Sequence, residues 1–146
     1  LALACDIILA SDKARFGEAF INLGLQPDYG GTFFLPRLVG TAKALELMLT
    51  GRLFDAQEAE KMGMVNQVVP LDELMNVARE LAATIAKKSP LAVAYTKASV
   101  YQAMQSDLPA ALDVEGRGQG LLFLTEDLQE GVKAFLEKRE PIFKGK

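Results

Sequence analysis

Apolar and polar positions along the chain divide it into short strands near the start and helices after them. Leu1 to Ala10 is almost wholly apolar and contains Ile7-Ile8-Leu9, which predicts the end of a helix and then a short buried strand over 6–10. Ala14-Arg15-Phe16-Gly17 suits a second strand. Glu18 to Gly24 spaces Ala19, Phe20 and Leu23 as a short helix closed by glycine. After the loop 25–31, helices are predicted over 32–39 and 41–50, separated by Gly40 and stopped by Gly51. Asp55 and Glu58 have the spacing of a capping box for a helix over 55–62. Met64 to Val69 reads as a strand that Pro70 ends. Asp72 is a candidate cap for a helix reaching Lys87, with Leu74, Val77, Ala78, Leu81 and Ile85 on one face. Ser89-Pro90 and Asp107-Leu108-Pro109 each place a capping side chain before a proline that needs no N–H. A last helix starts at Thr125, carries Glu126 and Asp127 in its first turn and ends in Lys138-Arg139, which complements the helix dipole.

Composition narrows the chemistry. The 146 residues are 50% apolar and carry a net charge of −3, enough chain for one core without disulfide or metal staples. There is no histidine, so every His-based triad, base or zinc site is excluded, and the single cysteine, Cys5, reads as core packing. Any acid or base is therefore a carboxylate, a lysine or a tyrosine. No basic tract offers itself to nucleic acid, and no apolar run approaches membrane-spanning length. Leu1 is not a start methionine and falls inside an element, so the chain is expected to be part of a longer protein.

Two glycine-rich stretches invite a functional reading. Gly116-Arg117-Gly118-Gln119-Gly120 follows the helical pattern of residues 110–115 instead of a strand, which argues against a nucleotide loop. The stretch from Leu25 to Thr32 carries more. Pro27 stiffens it, Gly30-Gly31 permit positive φ or close approach, and the next helix presents free N–H groups. Asp28 stands among them. It either caps that helix or, beside apolar Phe16, Phe20, Leu23 and Tyr29, is a poorly solvated carboxylate that takes up protons. Glu18 is a second carboxylate nearby, read as an exposed first-turn residue.

At this loop the chain resembles the crotonase, or enoyl-CoA hydratase/isomerase, family. The matching residues are 1–10, Ala14-Arg15-Phe16-Gly17, Leu23-Gly24-Leu25-Gln26-Pro27-Asp28-Tyr29-Gly30-Gly31-Thr32 and Leu35-Pro36-Arg37-Leu38-Val39-Gly40. They continue through 56–65, Thr125-Glu126-Asp127, Glu130-Gly131 and 134–139, covering nearly the whole chain in order. The resemblance implies the C-terminal, mostly helical portion of an α/β, ClpP/crotonase-like fold with a few short strands. Residues 1–70 would form the end of the core with the active-site loop, and 71–146 a helical region for oligomerisation and CoA contact.

The implied chemistry is that of an acyl-CoA thioester passing through an enolate, with a carboxylate moving a proton and two backbone N–H groups, expected upstream of Leu1, holding the thioester oxygen. Without those donors the isolated chain is expected to be inactive. Phe20 falls where hydratases of the family carry their second glutamate. Asp28 falls where certain isomerases and a dehalogenase carry an aspartate, with the loop most similar to 1,2-epoxyphenylacetyl-CoA isomerases. The resemblance therefore points to an isomerase with Asp28 as acid and base, and a hydratase or a noncatalytic binding fragment as alternatives. The acyl-CoA would meet Phe16, Phe20, Leu23, Pro27, Tyr29 and Gly30, with Phe135, Lys138, Phe143 and Lys144 near the CoA moiety. No metal and no cofactor beyond the substrate's own CoA are expected. The partners expected are copies of the same subunit, in a cytoplasmic homotrimer or hexamer.

Overall fold

A computed structural model describes residues 1–146. The chain divides into two compact units, Leu1–Ala78 and Arg79–Lys146. In the first unit, a 3₁₀ turn over Ala2–Ala4 leads to strand β1 (Leu9–Ser11) and strand β2 (Arg15–Phe16). A second 3₁₀ turn, Ala19–Leu23, ends at left-handed Gly24. Helices α1 (Gly31–Val39) and α2 (Thr41–Thr50), strand β3 (Phe54–Asp55), helix α3 (Ala56–Lys61) and strand β4 (Gln67–Val69) follow.

Strand β1 runs parallel to β4 in the register Leu9–Gln67, Ala10–Val68 and Ser11–Val69, while β2 pairs antiparallel with β3. Both strands of the parallel pair are shorter than the apolar runs predict. Met64 and Val65 donate their N–H groups to the Ala59 carbonyl at the end of α3, so they close that helix instead of extending β4. The Asn66 side chain accepts from the Ile8 N–H at 2.8 Å and its own N–H donates to the Ile8 carbonyl, which fastens the entry to β1. Cys5, expected in the core, is exposed.

The core of this unit is built from Ile8, Ala10, Leu35, Ala44, Leu47, Phe54, Ala56, Ala59 and Val65, and Phe16 stacks on Phe54 at 5.8 Å between ring centroids. Helix α2 stops at Gly51, whose φ of +59° suits a residue without Cβ. Close approach adds a second reason, because a Cβ at Gly51 would meet Ile21 and Asn22. Asn22 donates to the Gly51 carbonyl at 3.2 Å and so ties the 19–23 turn to the end of α2. Asp55 caps α3 by accepting the Glu58 N–H. Glu58 does not complete the capping box: its carboxylate pairs with Arg52, which also binds Glu46 and thereby links α2 to α3.

Helix α4 (Leu74–Ala86) spans the division between the units. Its half-buried residues Leu74, Val77, Ala78 and Leu81 form the expected stripe, with Ile85 at the exposed end. Asp72 does not cap it. The Glu73 N–H is taken by the Pro70 carbonyl, and Glu73 supplies the carbonyl to which Asn76 and Val77 donate, which moves the helix start to Leu74.

The second unit holds α5 (Pro90–Ala103), α6 (Leu108–Leu122) and α7 (Glu126–Glu137), capped as expected by Ser89, Asp107 and Thr125. All three glycines of 116–120 lie within α6. Gly118 is the one with a packing reason, since a Cβ there would stand 3.4 Å from the Tyr95 ring of α5, whereas Gly116 and Gly120 face open space. The chain end folds back onto α7. Asp127, 2% exposed, accepts the N–H groups of Lys144 and Gly145 at 2.7 and 3.0 Å, and Glu130 accepts from Ile142 N–H and the Arg139 guanidinium.

Burial works against the charge on Asp127, but the Lys144 N–H, the Ser89 hydroxyl and the Gly145 N–H outweigh it and hold the carboxyl below its ordinary value of 3.8. The Arg139 guanidinium and the Ile142 N–H lower Glu130 to about 2. A depressed folded-state value means that the stabilisation is complete above the ordinary carboxylate range and is lost as pH falls through the depressed values. The Lys144 and Gly145 amides are therefore expected to be protected from hydrogen exchange at pH 6 and to lose that protection as pH falls below about 3.8. In Asp127→Ala they should be unprotected at every pH. Protection that is independent of both pH and Asp127 would rule this anchoring out.

Candidate active site

Residues 25–31 carry the chain from the 19–23 turn into α1. Tyr29 has φ +47° and Gly30 φ +81°, two successive left-handed residues that reverse the chain, and the Gly31 N–H donates to the Asp28 carbonyl at 2.9 Å. For tyrosine that conformation costs about 1–2 kcal/mol, so the surrounding hydrogen bonds hold this bend against a local preference. Gly30 is the N-cap of α1, and no side chain caps the helix. The capping role considered for Asp28 is thus replaced: its main chain makes the turn, and its carboxylate is left for other work.

That carboxylate lines a cleft of about 440 Å³ together with Glu18, Phe20, Tyr29, Gly31 and Phe34. Asp28 itself is exposed. The burial expected for it falls on Glu18, which is half-buried. Burial raises the proton affinity of the Glu18 carboxyl, the charge of Asp28 raises it further, and the amino group of Leu1 works in the opposite direction.

Glu18 also forms part of the wall of a smaller adjoining cavity of about 170 Å³, lined by Phe16, Leu35, Phe54 and Met64 among others. Its two carboxylate oxygens lie 3.0 and 3.2 Å from where a Cβ of Gly31 would project, so the carboxylate packs closely against the start of α1 and any side chain at residue 31 would crowd it. No three His, Cys, Asp or Glu side chains gather as a set that could hold a metal ion.

The candidate residues therefore separate. Phe20, Asp28 and Tyr29 share the larger cleft, although Tyr29 is 86% exposed, and Phe16 faces the smaller cavity. Gly30 supplies the bend, and half-buried Pro27 precedes it without lining either space. Leu23 is 78% exposed and lies outside both.

Phe135 and Phe143 belong to the second unit, where they line an apolar groove of about 470 Å³ with Leu122, Phe123, Val132 and Leu136. Lys138 is the left-handed C-cap of α7 and lies outside that groove, and Lys144 contributes its main-chain N–H to Asp127. Two cleft residues went unrecognised in the sequence. Glu18 reads in the sequence as an exposed first-turn residue, and Phe34 is not singled out there. The Gly30-Gly31 pair was the available signal for both, since each glycine leaves space that one of these side chains occupies.

Comparison with known proteins agrees with this architecture. The model of the enoyl-CoA hydratase/isomerase family matches residues 1–146. A short-chain-enoyl-CoA hydratase of Clostridioides difficile is 48% identical over 135 residues, 92% of this chain and 87% of that protein. The 2,3-dehydroadipyl-CoA hydratase of Escherichia coli is 42% identical over 100% of this chain and 57% of its own length. The crystal structure of an enoyl-CoA hydratase from Bacillus anthracis superposes with a TM-score of 0.96 at 41% identity, covering 99% of this chain and 56% of that one. The chain thus spans little more than half the length of most of these relatives. The family match takes in the whole chain and does not support the narrower expectation of a C-terminal portion, nor do the hydratase names favour the isomerase branch over its alternative. With a family model matching every residue and close fold agreement with solved hydratases, the chain belongs to the enoyl-CoA hydratase/isomerase family.

Proposed function

We propose that a subunit containing this chain adds water to 2-enoyl-CoA thioesters, with Asp28 as the group that takes the water's proton. The observation that carries the role of Asp28 is its placement: a carboxylate on a bent, glycine-held loop, free of any capping bond and on the wall of a cleft with aromatic sides. Asp28 removes a proton from water as the oxygen bonds to the β-carbon, and the electron pair of the double bond moves toward the thioester oxygen. Two N–H donors are needed at that oxygen, each worth about 2.7 to 4 kcal/mol in the transition state. We place them in the part of a whole subunit that these residues do not span. The similarity to proteins named as crotonyl-CoA and short-chain-enoyl-CoA hydratases supports the choice of water addition.

A second reading, double-bond isomerisation, is favoured by Phe20, a side chain that cannot move a proton at the place the resemblance gives to a hydratase's second glutamate. One experiment separates the two. The full-length subunit is incubated with crotonyl-CoA in deuterated buffer and the products are weighed. A product heavier by one water is expected. Deuterium gained without water marks the isomerase, and an unchanged substrate would sink both readings. We also propose self-association through the second unit, where Phe135 and Leu136 of α7 are largely exposed apolar side chains.

A further inference from the structure

We propose that Glu18 is a second proton-transferring residue of this cleft, delivering a proton to the α-carbon while Asp28 takes one from water. The inference rests on the reading of Asp28 given above and deepens it. Three features of the structure lead to it. Glu18 and Asp28 come from different segments yet line the same cleft. Glu18 also borders the apolar cavity behind it, so its carboxyl stands where a low-polarity wall meets the open space beside Asp28. Finally, its oxygens occupy the volume that any side chain at residue 31 would fill, which fixes the carboxyl against the start of α1.

The charged groups that act on it are the Asp28 carboxylate and the amino group of Leu1, and Tyr29 is the other titratable residue on the wall of the cleft. Burial and Asp28 both favour the form of Glu18 that carries a proton, and the Leu1 amino group opposes them. Where residues precede Leu1, that amino group is a peptide nitrogen and its opposition disappears. Two carboxyl groups with unequal surroundings can divide the acid and base roles between them.

The step balances. Water gives one proton to the Asp28 carboxylate and its hydroxyl to the β-carbon. Electrons from the double bond pass to the thioester oxygen and return to the α-carbon, which takes the Glu18 proton. A proton then passes from Asp28 to the Glu18 carboxylate and restores both groups. In the isomerisation reading, Asp28 would instead take a proton from the α-carbon of a 3-enoyl-CoA, and Glu18 would give its proton to the γ-carbon of the resulting dienolate.

The test uses the full-length subunit with crotonyl-CoA and reads kcat across pH. The unaltered enzyme should show a bell-shaped profile, with an acid limb for the group that must be ionised and a basic limb for the group that must hold a proton. Glu18→Gln is expected to lower kcat by about 10²-fold or more and to abolish the basic limb. Gly31→Ala keeps both carboxyl groups in the chain but shifts that of Glu18, and it should lower kcat by about tenfold or more while KM changes little. It also guards against a Glu18→Gln protein that fails to fold. Wild-type kcat with an unchanged pH profile in either variant would overturn the role of Glu18. Full activity in Asp28→Asn would instead overturn the reading beneath it, so the two failures are told apart.

Discussion

Asp28→Asn in the full-length subunit is expected to lower kcat for crotonyl-CoA hydration by about 10² to 10⁴-fold, the usual contribution of a positioned acid–base group. KM should change little, because asparagine fills the same volume and the Asp28 side chain makes no bond that shapes the loop: the Gly31 N–H donates to the main-chain carbonyl of residue 28, which asparagine retains. Stability should move by no more than about 0.5 kcal/mol, as for a surface substitution without a lost cap. Asp28→Ala sharpens the comparison. A true N-cap replaced by alanine costs about 0.5–2 kcal/mol, whereas the structure gives α1 the glycine cap Gly30 and leaves Asp28 no such role. Rate loss in both variants at nearly constant unfolding midpoint therefore marks a chemical role. Unimpaired kcat in Asp28→Asn would remove Asp28 from the mechanism.

What the chain order reveals about the fold is mostly local. Asp55, Ser89, Asp107 and Thr125 each accept the N–H three residues on, a bond decided within one turn, and each was legible as a cap. Asp72 has the same chemistry but stands one residue too early: Asn76 and Val77 donate to the Glu73 carbonyl, so α4 starts at Leu74. The strand ends fail for a related reason. Met64 and Val65 look like strand residues, but their N–H groups are spent on Ala59.

The site was legible in its loop and not in its burial. Asp28, Gly30 and Gly31 announce a bend beside a helix start. Which carboxylate loses solvent depends on contacts between distant segments: Glu18 packs against the start of α1 and is half-buried, whereas Asp28 is exposed. Phe16 and Phe20 could be read as apolar neighbours, whereas Leu23, at the end of the same 3₁₀ turn as Phe20, is 78% exposed and lines neither space.

Leu47→Ala is expected to cost about 2–5 kcal/mol of folding stability, the range for truncating a large aliphatic side chain in a core that collapses only in part. Leu47 is 0% exposed in the middle of α2, within the cluster that includes Leu35 of α1 and Phe54 of β3. Its carbonyl also accepts the Gly51 N–H that ends the helix, so a cavity here lies beneath the anchor that holds the 19–23 turn beside the cleft. Leu49, two residues further along and 66% exposed, is the matched control. The same truncation there should change stability by no more than about 0.5 kcal/mol, since little apolar surface returns to water and no cavity forms. Urea unfolding of both variants measures the difference, with the midpoint falling for Leu47→Ala and the slope unchanged. Equal losses at the two positions would mean that α2 does not present Leu47 to the core, and the support beneath the Glu18–Asp28 cleft would have to be redrawn.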